Sequence, residues 1–427
     1  MNLKQIIRSR TTVNTIWLAG GKMFNKVTAF LVGIITARYL GPSNYGIINY
    51  AAVYTTFFAS ICALGINSVI VKEFVDNPEE QGEALGSALV MRMISSVISV
   101  IMISGLSFII DKGDTVTIIV VILCSLGLFF QIFDTINYWF LSKLKSKFTA
   151  IVSSIGYVFV SAYKICLFIF QKNVFWFALS TSVDYIVVAA LLLFAYRKNN
   201  GPRLSFSLKK AKQILTRSKS FVIAELMVAV YSSTDKLMLK HMINEESVGY
   251  YALIISLSQM WVFIISAIID SMSPTIMKLH NDNYELYKRR NRQLYAMVFY
   301  MCTAVSAAIF VIASPLINIL YGAEYAAAIQ PLRIIVWYTA FSCLGAARNA
   351  WVVCENKQNF SKYIYIFAAV LNIALNFVLI PVMGVSGAAL TSLITQIATI
   401  FIIPAFIPAL RENVKLMADA VLLRNVF

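Results

Sequence analysis

Uninterrupted apolar blocks recur from one end to the other of this 427-residue chain, each about as long as a bilayer crossing requires. A hydrocarbon core about 30 Å thick takes roughly 20 helical residues. Lipid offers the backbone no hydrogen bonds, so each block must close its own as a helix. Strands of a membrane barrel would alternate apolar and polar residues, and these blocks do not. The pattern predicts twelve spans, near 12–37, 46–70, 85–110, 115–141, 149–170, 174–196, 214–240, 248–273, 293–320, 327–353, 360–380 and 386–410. Only 13% of residues are charged, about half the usual share in a soluble protein. The expected fold class is therefore an all-α integral membrane protein with twelve transmembrane helices.

The net charge of +16 does not point to nucleic acid, because the basic residues lie in short loops between apolar blocks. Six cysteines are scattered through or beside apolar segments, with no C-x-x-C and only two histidines. They read as small apolar residues, so no metal site and no cofactor are expected. Lys4, Arg8 and Arg10 before an apolar stretch resemble a signal peptide, but the following helix is long and lacks a small-residue cleavage pattern. It is expected to stay as the first span.

An even number of spans puts both termini on one side. Segments on that side hold 25 Lys and Arg, whereas the opposite loops hold only Arg38, Lys112, Lys172 and Lys240. The positive-inside rule then predicts cytoplasmic termini. The longest basic linker, 197–219, contains Gly201-Pro202 and divides the chain into an N-terminal six-helix lobe, 1–200, and a C-terminal one, 201–427. Any repeat between such halves is parallel. The outer loops are short, so function is expected among the helices.

Ionisable groups inside the spans are costly, and they normally face a partner, water or the bundle interior. Lys22 and Lys26 lie mid-span in the first helix, four residues apart and so about 40° apart in azimuth. Two ammoniums on one face suggest a polar cavity; structural pairing with Asp184 or Glu225 is the alternative. Arg333 and Arg348 share the tenth span, about 60° apart around a straight helix. Snorkelling of each arginine separately explains them equally well. Arg92, in the third span, joins these as a candidate for binding an anionic substrate. Asp184 and Glu225 are the candidates for ion coupling. Gly46 and Gly249 are candidate gate or hinge positions, with ordinary turn duty as the plain alternative. Asp134 and Asp270 read as solvated or capping residues near span ends, and Asp235 as structural. Trp17, Tyr138, Trp139, Trp261 and Trp337 are candidates for stacking on sugar rings, although each aromatic is more simply a core or lipid-facing residue.

Five segments carry a family resemblance: N-T-I-W-L-A-G-G-K (14–22), A-R-Y-L-G-P-S-N-Y-G-I-I-N-Y-A (37–51), F-D-T-I-N-Y-W-F-L-S-K-L-K-S-K-F (133–148), Y-G-A-E-Y (321–325) and L-N-I-A-L-N-F-V-L-I-P-V-M-G-V-S-G-A-A-L-T-S (371–392). In this order they resemble the polysaccharide-transporter branch of the multidrug/oligosaccharidyl-lipid/polysaccharide (MOP) exporter superfamily, and most closely its Wzx-type O-antigen flippases. The resemblance implies two six-helix lobes in a V, alternately open to cytoplasm and periplasm in a bacterial inner membrane. It also implies a cationic cavity and an undecaprenyl-pyrophosphate-linked repeat unit as cargo. A polymerase and a chain-length regulator are candidate protein partners, left open by the sequence. The expectation is a transporter, not an enzyme. A drug/cation antiporter or peptidoglycan-precursor flippase of similar fold is the first rival, and a membrane glycosyltransferase or polymerase the second.

Overall fold

The computed structural model describes the backbone of residues 10–424; the side chains before Gly20 and those of Lys22, Ser220, Ile223, Ala224 and Tyr231 lie outside the described residues. The described chain is helical almost throughout. Nine described helices are long and apolar enough to cross a membrane, ten when the bent pair Ala323–Ile335 and Tyr338–Cys354 counts as one span. One of the nine, Met23–Asp76, takes in the second expected span and much of the first, and Gly41 breaks the helical run between them at φ 71°. The segment expected as span seven is also helical, and Val262–Asp282 already stands for the eighth, so the count is consistent with twelve.

The helix Gln81–Ile110 shows why these segments belong in lipid. Ile94, Ile98, Ile101 and Ile109 are 53–75% exposed, whereas Arg92, Ser96, Ser99, Ile103 and Ser107 form a buried stripe. Their spacing of three and four residues places them on one helical face. Small polar side chains let neighbouring helices approach closely, while branched apolar ones stay outside. A water-soluble helix has the reverse pattern.

Helix starts are capped by the residues that favour that position. The Asp114 carboxylate accepts from the Thr117 N–H at 3.0 Å. Asn244 and Asn283 do the same for Ser247 and Leu286, also at 3.0 Å. Each satisfies an N–H that the first turn leaves without a partner. Two expected spans are interrupted. The eighth is divided between Glu245–Gln259 and Val262–Asp282. The tenth bends by 45° at Val336-Trp337, so Arg333 and Arg348 do not share one straight helix face, and the azimuth argument for that pair fails.

The chain packs into two compact units, one formed by 1–40 and 47–233 and the other by 41–46 and 234–427. The boundary falls inside the helix Leu208–Met242, not at residue 200, because the linker is fastened to the first unit. Ser205 N–H donates to the Gly82 carbonyl at 3.3 Å and Ser207 N–H to Ser87 Oγ at 3.1 Å. Buried Lys210 pairs with buried Glu73 at 2.8 Å and with Glu80, and Arg217 reaches Glu73 at 2.6 Å. The core of this unit gathers Ile66, Phe74, Leu85, Ile136, Trp139 and Leu192. Trp139 is only 3% exposed and donates to Gln81 Oε1 at 3.1 Å, so it is a core residue rather than a sugar platform.

In the second unit, Gly46 and Gly249 make one helix contact. A Cβ on Gly46 would stand 1.9 Å from the Glu245 carbonyl oxygen, and one on Gly249 would stand 2.1 Å from that of Pro42. Both positions exclude any side chain, because backbone stands in the way. Gly105 has nothing within 4 Å of its added Cβ. Gly249→Ala should therefore lower the thermal midpoint of the detergent-purified protein by several degrees, on the order of 1–3 kcal/mol of overpacking. Gly105→Ala should leave it unchanged, so equal midpoints for the two variants would contradict this packing.

Candidate functional site

A cavity of about 640 Å³ lies within the first unit. Its walls come from the second, third, fourth, sixth and seventh expected spans. Thr55, Thr56, Ser60, Asn67, Gln131 and Thr181 supply neutral polar groups; Tyr138 and Tyr185 supply aromatic ones. Three ionisable groups join them: Arg92, Asp134 and Glu225.

Arg92 comes from the buried serine stripe and is 3% exposed. Its Nη1 donates to Thr135 Oγ1 at 2.7 Å and to Asn67 Oδ1 at 3.4 Å, while Nε has no partner. The Thr135 hydroxyl in turn donates to the Ile132 carbonyl at 2.7 Å, which holds its lone pairs toward the arginine. Asp134 and Glu225 act electrostatically on Arg92, yet among the described residues no carboxylate closes an ion pair with it. The guanidinium is held by neutral groups and retains unused donors. A bidentate partner such as phosphate could use them.

Among the described residues, the structure brings two of the expected site residues, Arg92 and Glu225, into this cavity. It adds Asp134, which reads from the sequence as a solvated or capping residue near a span end. No local sequence signal marks it: Asp134 sits in a short 3₁₀ turn, Ile132–Asp134, that only the fold reveals. Among the described residues, its lining holds one cation and two carboxylates. Lys26 is exposed and outside the lining, and Lys22's side chain lies outside the described residues. Asp184 also lies outside the lining; its Oδ1 is buried without a hydrogen-bond partner, and Lys164 is the cation acting on it. In the second unit, Arg333 lies over the Phe310 ring at 5.7 Å, and Arg348 donates to the Thr399 carbonyl at 3.3 Å. Of the aromatic candidates, Tyr138 lines the cavity, whereas Trp261 is buried and Trp337 rests near Phe310.

A second polar centre, in the other unit, is not evident from the sequence. Buried Asp235 accepts from the Tyr251 hydroxyl, from Ser392 Oγ at 2.7 Å and from Asn376 Nδ2 at 2.7 Å. Asn376 also donates to Asn372 Oδ1 at 3.2 Å, while its own Oδ1 has no partner. Asn372 and Asn376 are one helical turn apart within an apolar span, and that repeat was the available signal. One carboxylate among neutral oxygens suits a hard monovalent cation better than a transition metal. Among the described residues, no group of three or more His, Cys, Asp or Glu side chains could hold a metal ion.

This multi-helix membrane fold is shared with solved structures of MurJ and of a MATE transporter. A structure described as the lipid II flippase MurJ in an inward closed conformation aligns with a TM-score of 0.75, at 13% identity, over 94% of this chain and 90% of that one. An inward-facing multidrug-resistance MATE transporter of the MOP superfamily aligns with a TM-score of 0.70, at 14% identity, over 93% and 95%. The family model for polysaccharide biosynthesis proteins matches residues 12–280, and the MatE model matches 221–378. The chain belongs to the polysaccharide biosynthesis protein family. Among its relatives is the capsular polysaccharide biosynthesis protein CapF of Staphylococcus aureus, 22% identical over 86% of this chain and 91% of that one.

The cavity geometry predicts water access. In a variant freed of native cysteines, Ser232→Cys, which lines the cavity and is exposed, should react with a hydrophilic maleimide. Ser99→Cys, at a position 1% exposed, should not. Equal labelling of both, or labelling of neither, would contradict a watered cavity.

Proposed function

We propose that the protein is a flippase that moves undecaprenyl-pyrophosphate-linked polysaccharide repeat units from the cytoplasmic to the periplasmic leaflet of a bacterial inner membrane, by alternating access and with both termini cytoplasmic. The observation that carries the proposal is an arginine with unused donors in a polar cavity of about 640 Å³, in a chain of the polysaccharide biosynthesis family. A cavity of this size suits a headgroup and its first sugars. Arg92 would take the diphosphate through its fork, while the cavity's hydroxyl, amide and phenol groups would meet the sugar. The prenyl tail would remain in lipid. The flippase reading involves no bond-making chemistry.

Asp134 and Glu225 give the same site a means of coupling. Ionised, they repel a diphosphate beside Arg92; protonated or cation-bound, they admit it. Cargo and coupling ion then favour each other's binding, which is thermodynamic linkage. The Asp235 centre is a second candidate for cation binding. O-antigen is the finer cargo that the sequence resemblance implies, whereas the name of the S. aureus relative points to capsule. A polymerase and a chain-length regulator fit this reading as partners that consume the flipped unit.

One observation favours a drug or cation antiporter instead: two carboxylates face one arginine in the cavity. Complementation separates the two readings. In a flippase-null host supplied with the matching repeat-unit genes, the wild-type chain should restore surface polysaccharide. Arg92→Met should reduce display at least about tenfold at normal expression, since a charge-assisted hydrogen bond contributes about 1.5–3 kcal/mol; Arg92→Lys should retain part of it. Wild-type display from Arg92→Met, or drug resistance without polysaccharide display, would overturn the flippase reading.

A further inference from the structure

Arg348 is a buried cation with no counter-charge among the described residues. Its residue is 7% exposed, its Nη1 has the single acceptor Thr399 O at 3.3 Å, and its Nε has no partner. Among the described residues no carboxylate closes an ion pair with it. Two carboxylates of the same unit are committed elsewhere, Glu355 to His280 at 3.3 Å and Glu412 to Lys288 at 3.1 Å. A charge buried this deeply normally meets an opposite charge or loses stability.

Beside the guanidinium is a cavity of about 10 Å³, large enough for one water-sized particle. Its polar lining is Arg348, Lys357, Ser361 and Asn413, with no carboxylate, and the remaining walls are apolar. Asn413 is itself half-paired: Nδ2 donates to Tyr295 Oη at 2.9 Å, and the buried Oδ1 has no partner. Turned end for end, this amide would accept from the Tyr295 hydroxyl and release its N–H groups to the cavity.

We propose that this cavity binds a monatomic anion, chloride in the cell, between Arg348 and Lys357. Two cationic side chains, a hydroxyl and an amide form a donor set for a halide, and the space is too small for a sugar or a diphosphate. The site lies in the second unit and is separate from the 640 Å³ cavity of the first. Its donors come from Tyr338–Cys354, Ser361–Met383, Arg411–Val421 and the Lys357 loop. The bound ion joins the last described helix to the bundle and supplies Arg348 with the charge that the protein does not.

The test uses the full-length protein in detergent, with thermal unfolding followed in chloride, bromide or gluconate at constant ionic strength. The midpoint should rise with chloride and bromide along a saturating curve and stay flat in gluconate, which is too large for the cavity. Lys357→Gln should raise the half-saturating chloride concentration at least about tenfold. Arg348→Met, which replaces the charge with an apolar chain of similar length, should abolish the dependence. Identical wild-type midpoints in chloride and gluconate would show that the cavity holds water only. A halide dependence unchanged in Lys357→Gln would place the effect elsewhere on the surface; either result overturns the proposal, even where Arg348→Met fails to fold.

Discussion

Lipid tails cannot hydrogen-bond to a guanidinium, a carboxylate or a peptide group, and the two units of this protein are organised around that constraint. Backbone groups are satisfied within helices, branched apolar side chains stay outside, and serine, threonine and glycine mediate close helix contacts. Ionisable groups that remain within the spans must then be satisfied in the interior. Three of them are handled differently. Asp235 accepts hydrogen bonds from three side chains. Arg92 is oriented by Thr135 and Asn67 at the edge of a polar cavity. Arg348 has only one carbonyl acceptor. The degree of satisfaction separates the carboxylate from the arginines: Asp235 has its neutral partners in place, while the arginines keep unused donors that an anionic ligand can take.

The helical membrane architecture was legible because a bilayer crossing demands a long apolar block that cannot be mistaken for a strand or a soluble helix. Interruptions within the blocks were not. No proline or glycine marks the division at Met260-Trp261 or the bend at Val336-Trp337, where the change of direction depends on tertiary packing. The boundary between the two units was also displaced, because the linker looks like a free basic loop until Gly82, Gly86 and Ser87 are seen to form the surface on which it lies. At Gly82 and Gly86 an added Cβ would stand 2.2 and 2.3 Å from the linker's carbonyl oxygens.

The candidate site was legible in part. A charge inside an apolar block stands out, which is how Arg92 and Glu225 were found. Whether such charges share a cavity depends on helix rotation and on short 3₁₀ turns, and these are tertiary properties. Asp134 near a span end and Asp235 near a loop read as ordinary terminal residues until the fold brought them inward.

Polysaccharide biosynthesis family membership and the shared fold give a multi-pass membrane protein, and the proposal places an anionic headgroup in the Arg92 cavity. The most direct test of their combination is translocation itself. Purified protein would be reconstituted into vesicles with a fluorescent undecaprenyl-pyrophosphate oligosaccharide, and the fraction bleached by a membrane-impermeant reductant would be followed. The account predicts that inner-leaflet label becomes accessible with the wild-type protein and stays protected with Arg92→Met. Protection of that label with the wild-type protein, as in protein-free vesicles, would contradict it.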